Sequence, residues 1–159
     1  MNIIDFLSAF IKLFTQGYRG AGIVYLCGNH VLMQLRMHPK RWAFIGGSYD
    51  KTKDADYRET AVREFWEETG VKLRISDLEK EPVHALGFWH YRWELYLVIS
   101  DKKIEVDNAP EEYRHEYQKY RYVNLYDVRK DLSSERYHKL FFFVSYQLKK
   151  VRRYIEIKR

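Results

Sequence analysis

With one cysteine, three prolines and eight glycines in 159 residues, the sequence leaves out several common ways of fastening or interrupting a chain. Cys27 stands alone, which excludes an intramolecular disulfide. Its place in the apolar run AGIVYLC reads as a small buried thiol on a strand, in a reducing, intracellular and hence cytoplasmic setting. No apolar run approaches the roughly 20 residues that cross a bilayer. The opening MNIIDFLSAFIKLF carries Ile3, Ile4, Leu7, Phe10, Ile11 and Phe14 on one helical stripe, but Asp5, Ser8 and Lys12 interrupt it. It also lacks the basic start and small-residue cleavage site of a secretory leader. Residues 1–18 therefore read as a helix packed on the domain, with contact to a membrane surface as the alternative. No proline-rich or glycine-serine linker, repeat or low-complexity stretch divides the chain, so 46% apolar residues build one core. There is no P-loop, no GxGxxG after a strand, no HExxH and no GxSxG, and the six histidines show no metal-ligand spacing.

What is present begins with charge. A formal +6 and a pI near 9.3 favour anionic partners such as nucleotides, nucleic acid or a lipid surface without choosing among them. The segments AGIVYL and VLMQLR read as strands joined by a tight turn at Gly28-Asn29. RWAFIGG is a further short strand ending in paired glycines, followed by the polar loop SYDKTKDAD. From Tyr57 to Thr69 the period becomes helical, with Ala61, Val62, Phe65 and Trp66 apolar and Gly70 placed for a left-handed cap. VKLRI, VHALGFWH, RWELYLVIS and YRYVNL follow as strands, the middle two forming a hairpin across HYRW. A long amphipathic helix is expected from Ser133 or Ser134 to the end, its cations gathered where they favour the helix dipole. The fold class is α+β, as one unit.

Within the predicted helix, REFWEETG concentrates Glu64, Glu67 and Glu68 on one face. Three carboxylates within about a turn repel one another. A divalent cation reverses that balance, because Mg²⁺ or Mn²⁺ prefers hard oxygen ligands completed by water and substrate phosphates. Arg63, four residues before Glu67, is placed to orient a ligand. A solvated acidic stripe is the alternative for any helix with three glutamates.

The residues around the cluster carry a resemblance. Arg63, Glu64, Phe65, Glu67, Glu68, Gly70 and Val71 match in identity and spacing the second half of the Nudix hydrolase box, G-x5-E-x7-R-E-U-x-E-E-x-G-U, in which U is bulky and apolar. The first half departs: the box glutamate falls at Ala55 and its glycine at Tyr49, so the loop after Gly47 is two residues longer, and Asp54 or Asp56 is left to replace the carboxylate. Ile45 stands where many relatives have proline. The resemblance covers about Arg19 to Val128. It implies an α/β/α sandwich with a mixed sheet between helices and extra terminal helices. The division would be an N-terminal helix at 1–18, a core at 19–128 and a C-terminal helix at 133–159.

It also implies hydrolysis of a pyrophosphate bond in nucleoside diphosphate-linked substrates, using Mg²⁺ or Mn²⁺. Glu67 and Glu68 would then ligate metal, Glu64 would ligate or take a proton from the attacking water, and Gly47 would lend its carbonyl. Arg63 would organise the carboxylates. The segment RHEYQKYRYVNL, Arg114 to Leu125, is similar to the corresponding segment of asymmetrical diadenosine tetraphosphate hydrolases. This makes Glu116 a further metal ligand or base, with Glu112 behind it, and slightly favours dinucleoside polyphosphates. For substrate contact, Arg36, Arg41 and Lys119 are phosphate candidates, and Tyr117, with Tyr113, Tyr120 and Tyr122, offers rings for stacking or simply packing. The basic run KKVRRYIEIKR suits either RNA contact or a solvated face. An RNA 5′-end or decapping enzyme, and a non-catalytic nucleotide-binding module suggested by Ala55, are the alternative functions. Oligomeric state is not legible.

Overall fold

The computed structural model describes residues 17–106, 117–141 and 143–158; the predicted N-terminal helix lies outside them, and Tyr18 already opens a strand. Strand β1 (Tyr18–Cys27) and strand β2 (His30–Arg36) are the two expected partners, joined where Gly28 takes the left-handed φ of 57° that a residue without Cβ adopts easily. Their pairing is brief: Leu26 faces Val31 and Cys27 faces His30. Beyond that the strands part. β1 continues against β4 (Ile45–Ser48) and lies parallel to β6 (Tyr91–Ser100), while β2 pairs with β3 (Trp42–Ala43) and β7 (Tyr117–Asn124). β5 (His84–Phe88) closes the far side against β6.

This divergence corrects one expectation and builds the site. RWAFIGG is not one strand: Trp42 and Ala43 bond to β2, whereas Ile45 to Ser48 bond to β1, so the chain crosses the opening between the two halves at Phe44. The paired glycines are thereby delivered to the lip of that opening.

Helix α1 (Tyr57–Thr69) begins at Asp56, whose carboxylate accepts from the Arg58 and Glu59 N–H groups, and stops at Gly70 with φ 74°. Ala61 and Phe65 pack from it onto Ala21, Ile23, Leu32 and Ile45 on one face of the sheet. The other face buries Val24, Met33, Leu35, Trp42 and Leu97 beneath α2 (Val128–Leu132) and α3 (Val144–Lys158). The result is the expected α+β sandwich, a mixed sheet between helical layers.

Four further expectations are corrected. VKLRI is not a strand; Ile75–Asp77 is a single 3-10 turn, because Asp77 captures the Arg74 N–H at 2.8 Å and the bonds close locally. The C-terminal helix starts at Val144 rather than near Ser133. Before it, Trp42 donates to the Lys139 carbonyl and Phe141 donates to that of Trp42, so this stretch serves the β3 edge, and Phe143 sits at φ 62°, outside helical backbone. The hairpin tip lies at Trp89-His90, between the Phe88–Tyr91 pair, not across HYRW. Cys27, at the end of β1, is only partly buried. Among the described residues no helix is long and apolar enough to cross a membrane.

Candidate active site

The box helix lies over β1 and β4, and its acidic residues are organised around one guanidinium. Arg63 directs Nε to Asp54 Oδ1 at 2.7 Å and Nη2 to Asp54 Oδ2 and the Ser48 carbonyl, each at 2.8 Å. Its Nη1 donates to Glu64 Oε1 at 2.8 Å and Glu67 Oε2 at 3.0 Å. Five contacts match the five N–H donors of the group, so its orientation is fixed on every side. Hydrogen bonding to Asp54 keeps Arg63 charged against the opposing effect of burial.

Asp54 is the acid that meets the box arginine where the family pattern expects glutamate at position 55. Burial raises the proton affinity of its carboxyl, but bonds from Arg63, the Asp50 N–H and the Thr60 hydroxyl outweigh this and hold it below the ordinary value. Asp56 is occupied as the helix cap, and Ala55 is exposed. The two extra loop residues thus move the acid by one position while keeping its bidentate contact.

Glu68 is the deepest of the three box glutamates, 5% exposed. Its Oε2 accepts from Gln34 Nε2 at 2.9 Å and from the Gly46 N–H at 3.1 Å. Burial, reinforced by the nearby Glu64 charge, pushes its carboxyl well above the usual range despite Gln34, Arg36 and Gly46, which oppose that shift. Tyr120 donates its hydroxyl to the Glu68 carbonyl, tying the helix end to β7. A Cβ on Gly47 would overlap the Glu64 carboxylate, so only glycine lets strand and glutamate approach this closely. Glu64, Glu67, Glu68 and the Gly46–Gly47 backbone therefore gather at one lip of the sheet opening. Among the described residues no three acidic, histidine or cysteine side chains are already closed into a metal cluster, and Arg63 bridges Glu64 and Glu67. The donor chemistry nevertheless suits a hard divalent cation: carboxylate and carbonyl oxygens only, with excess negative charge that a cation relieves.

Through the opening lies a cavity of about 220 Å³ lined by Tyr18, Arg36, Phe44, Gly46, Trp93 and Phe141, among others. Gly46 belongs to both regions, bonding Glu68 and lining the cavity. Arg36 lies 5.0 Å over the Phe141 ring and close enough to Glu68 to favour its ionised form. Tyr18 stacks 6.0 Å from both Trp93 and Tyr91.

The remaining predicted residues are dispersed. Arg41 donates to the Leu140 carbonyl at 3.5 Å and is not part of the cavity lining. Lys119 is held by Glu135 at 2.9 Å. The Tyr117 backbone pairs with Arg36 at a bulge in β7. Glu112, Tyr113 and Glu116 lie outside the described residues. Gln34, Tyr18, Tyr91 and Trp93 were not anticipated. Gln34 alone had a signal, as a polar residue among the inward-facing positions of an apolar strand.

Residues 18–142 match the model of the NUDIX domain. No curated protein matches the sequence. Among solved structures, the NUDIX domain of Shewanella oneidensis NrtR complexed with ADP ribose is similar at TM-score 0.69 and 18% identity, covering 98% of this chain and 99% of that one. A MutT NUDIX hydrolase from Burkholderia pseudomallei aligns at 0.61 and 17%, covering 84% and 97%. A C. elegans Ap4A hydrolase aligns at 0.58 and 17%, covering 87% and 98%. At these identities the likeness to the structures is one of fold.

Proposed function

This chain belongs to the NUDIX domain family, and from that premise we propose that it hydrolyses a pyrophosphate bond in a nucleoside diphosphate-linked substrate with the help of Mg²⁺ or Mn²⁺. The observation that carries the reading is the shared lip: Gly46 joins the box glutamates to an aromatic cavity containing one cation, Arg36. A planar base suits the rings of Tyr18, Trp93 and Phe141, while Arg36 suits the phosphates beside it.

Glu67, Glu68, Glu64 and the Gly47 carbonyl would hold the cations, which supply neutralisation of charge developing on the phosphates and a lowered pKa for bound water. Gln34 and the Gly46 N–H fix one oxygen of Glu68, leaving Oε1 for ligation. Glu64, anchored at Oε1 by Arg63, directs Oε2 towards Gly47 and is the candidate to accept the proton of the attacking water. Glu116 is the second candidate for that base or for a further ligand; it immediately precedes Tyr117, whose backbone pairs with Arg36. Arg63 touches carboxylates, not substrate, and acts as the positioning residue.

Dinucleoside polyphosphates are the favoured substrates, ahead of nucleotide sugars and nucleoside triphosphates. The names of similar proteins, with ADP ribose bound to one and Ap4A hydrolysed by another, support the class. An RNA 5′-end activity through α3 is less favoured because several of its cations are engaged: Arg152 with the Leu125 carbonyl, Lys158 with Glu79, and Lys150 over the Tyr146 ring. The Asp54–Arg63 pair speaks against a non-catalytic module, since the arginine anchor survives the loss of glutamate at Ala55. A screen of dinucleoside polyphosphates, nucleotide sugars, triphosphates and capped RNA with Mg²⁺ and Mn²⁺, with products resolved by chromatography, tests the reading. No product from any of them overturns it.

A further inference from the structure

At the end of the sheet where β1 and β6 begin, a second cleft of about 400 Å³ lies beside the β5–β6 hairpin, lined by Arg19, Tyr57, Phe88, Trp89, His90 and Arg92, among others. Tyr91 lines this cleft and the cavity alike. Successive side chains on β1 divide between the two, Tyr18 into the cavity and Arg19 into the cleft, as strand alternation requires.

Two features of the cleft lack a structural explanation. Trp89 is 89% exposed at the hairpin tip, and it takes φ 48°, a left-handed backbone that aromatic residues rarely adopt and that glycine or asparagine would fill more easily. An indole held in water at that cost in strain packs against nothing that repays it, so the outlier directs attention to a role outside the packing of the fold. The Arg19 carbonyl accepts from the Tyr49 N–H, but its guanidinium, also exposed, has no hydrogen bond or ion pair among the described residues. The neighbouring Arg92, by contrast, is committed: it bonds Glu94 and lies 4.9 Å over the Tyr57 ring, forming a wall rather than a free charge. An open aromatic face beside an unpaired guanidinium is the pairing that takes a base through stacking and its phosphate through charge.

We infer that this cleft binds a second nucleotide of the substrate, its base on Trp89 and its phosphate at Arg19, while the first nucleotide occupies the cavity. The inference rests on the pyrophosphohydrolase reading and sharpens it towards substrates with a nucleotide at each end of the polyphosphate. Such a nucleotide arises either in a dinucleoside polyphosphate or as the residue following an RNA 5′ end; both present a base next to a phosphate.

The test uses the full chain with Mg²⁺ and methylene-bridged, non-hydrolysable analogues of ATP, of diadenosine tetraphosphate and of a 5′-triphosphorylated pentaribonucleotide, with binding followed by calorimetry. Trp89→Asn, which keeps a residue tolerant of the left-handed turn, and Arg19→Gln should each weaken at least one two-base ligand by about tenfold, as for one lost stack or phosphate contact. ATP-analogue affinity should stay within twofold. A loss confined to the dinucleoside analogue assigns that source, and a loss confined to the oligonucleotide assigns RNA. Unchanged affinity for both two-base ligands, or an equal loss for the ATP analogue, overturns the second-nucleotide site. Hydrolysis separates the two readings: turnover of authentic substrates with silent cleft variants removes only the cleft. Two-base binding lost in those variants, without turnover of any substrate, removes only the hydrolase.

Discussion

Removing the carboxylate of Asp54 should cost this protein more than any other single change in the long loop. Asp54→Ala strips Arg63 of two charge-assisted hydrogen bonds, at 2.7 and 2.8 Å, leaves the Asp50 N–H without its acceptor and leaves the Thr60 hydroxyl only the more distant Asp56 carbonyl. Bonds to charged groups contribute roughly 1.5–3 kcal/mol each, and breaking a buried pair from one side costs about 3–5 kcal/mol. The Arg63 side chain is 17% exposed and keeps Ser48, Glu64 and Glu67, so screening and the surviving contacts place the loss near the lower bound, about 3 kcal/mol. For a chain of this size that corresponds to about 6–12 °C in Tm. Urea and thermal unfolding of Asp54→Ala and Asp54→Asn would measure it, with Asn, which keeps an acceptor of similar size, expected near half the effect. Ala55→Glu in the Asp54→Ala background should not rescue stability, because position 55 is exposed and its N–H is bonded to Glu59. A loss below about 1 kcal/mol, or recovery on placing glutamate at 55, would refute the assignment of Asp54 as the acid that replaces the family's glutamate.

Other consequences can be checked alongside it. Gln34→Met, similar in shape but without a donor, should weaken Mn²⁺ binding about 10–100-fold by calorimetry while the fold survives; an unchanged constant would mean that Glu68 does not depend on Gln34. His84 is buried against Tyr146, and burial, with a smaller effect from Lys150, holds its pKa below the ordinary 6.5. A base with a depressed folded pKa stabilises the fold above the unfolded value and loses that contribution as pH falls, so denaturant stability should decline from about pH 6.5 downward and the slope should flatten in His84→Leu. Leu148→Ala empties a site 2% exposed beneath α3 and should cost about 2–5 kcal/mol in urea unfolding; a value under 1 kcal/mol would show that the helix is not packed as described.

The box helix was readable because its signals are local. Gly70 supplies the left-handed cap, Asp56 needs only the N–H groups two and three residues on, and the glutamate spacing is set by the helical repeat. The central strands were readable for the same reason, since alternation and the Gly28-Asn29 turn lie within a few residues. What remained hidden depends on partners far along the chain. Nothing in RWAFIGG tells that Trp42 bonds β2 while Ile45 bonds β1, because the split at Phe44 exists only once β1 and β2 have diverged. The late start of α3 follows from Trp42 capturing the 139–141 backbone about 100 residues away, which overrides a helical period there. The aromatic cavity is hidden in the same sense: Tyr18, Phe44, Trp93 and Phe141 are separate core candidates until the sheet opening brings them together. Arg63 with Asp54 is the intermediate case, narrowed to two acids by the loop length and decided by which of them the N-terminus of α1 already uses.

The most direct measurement is release of product from a dinucleoside polyphosphate by the wild-type chain and by Glu67→Gln, each with Mn²⁺ and with EDTA. The account predicts turnover that requires the cation and falls at least a hundredfold in Glu67→Gln, with Mn²⁺ binding weakened in the same variant. Hydrolysis that persists in EDTA, or a Glu67→Gln chain as active as its parent, would contradict it.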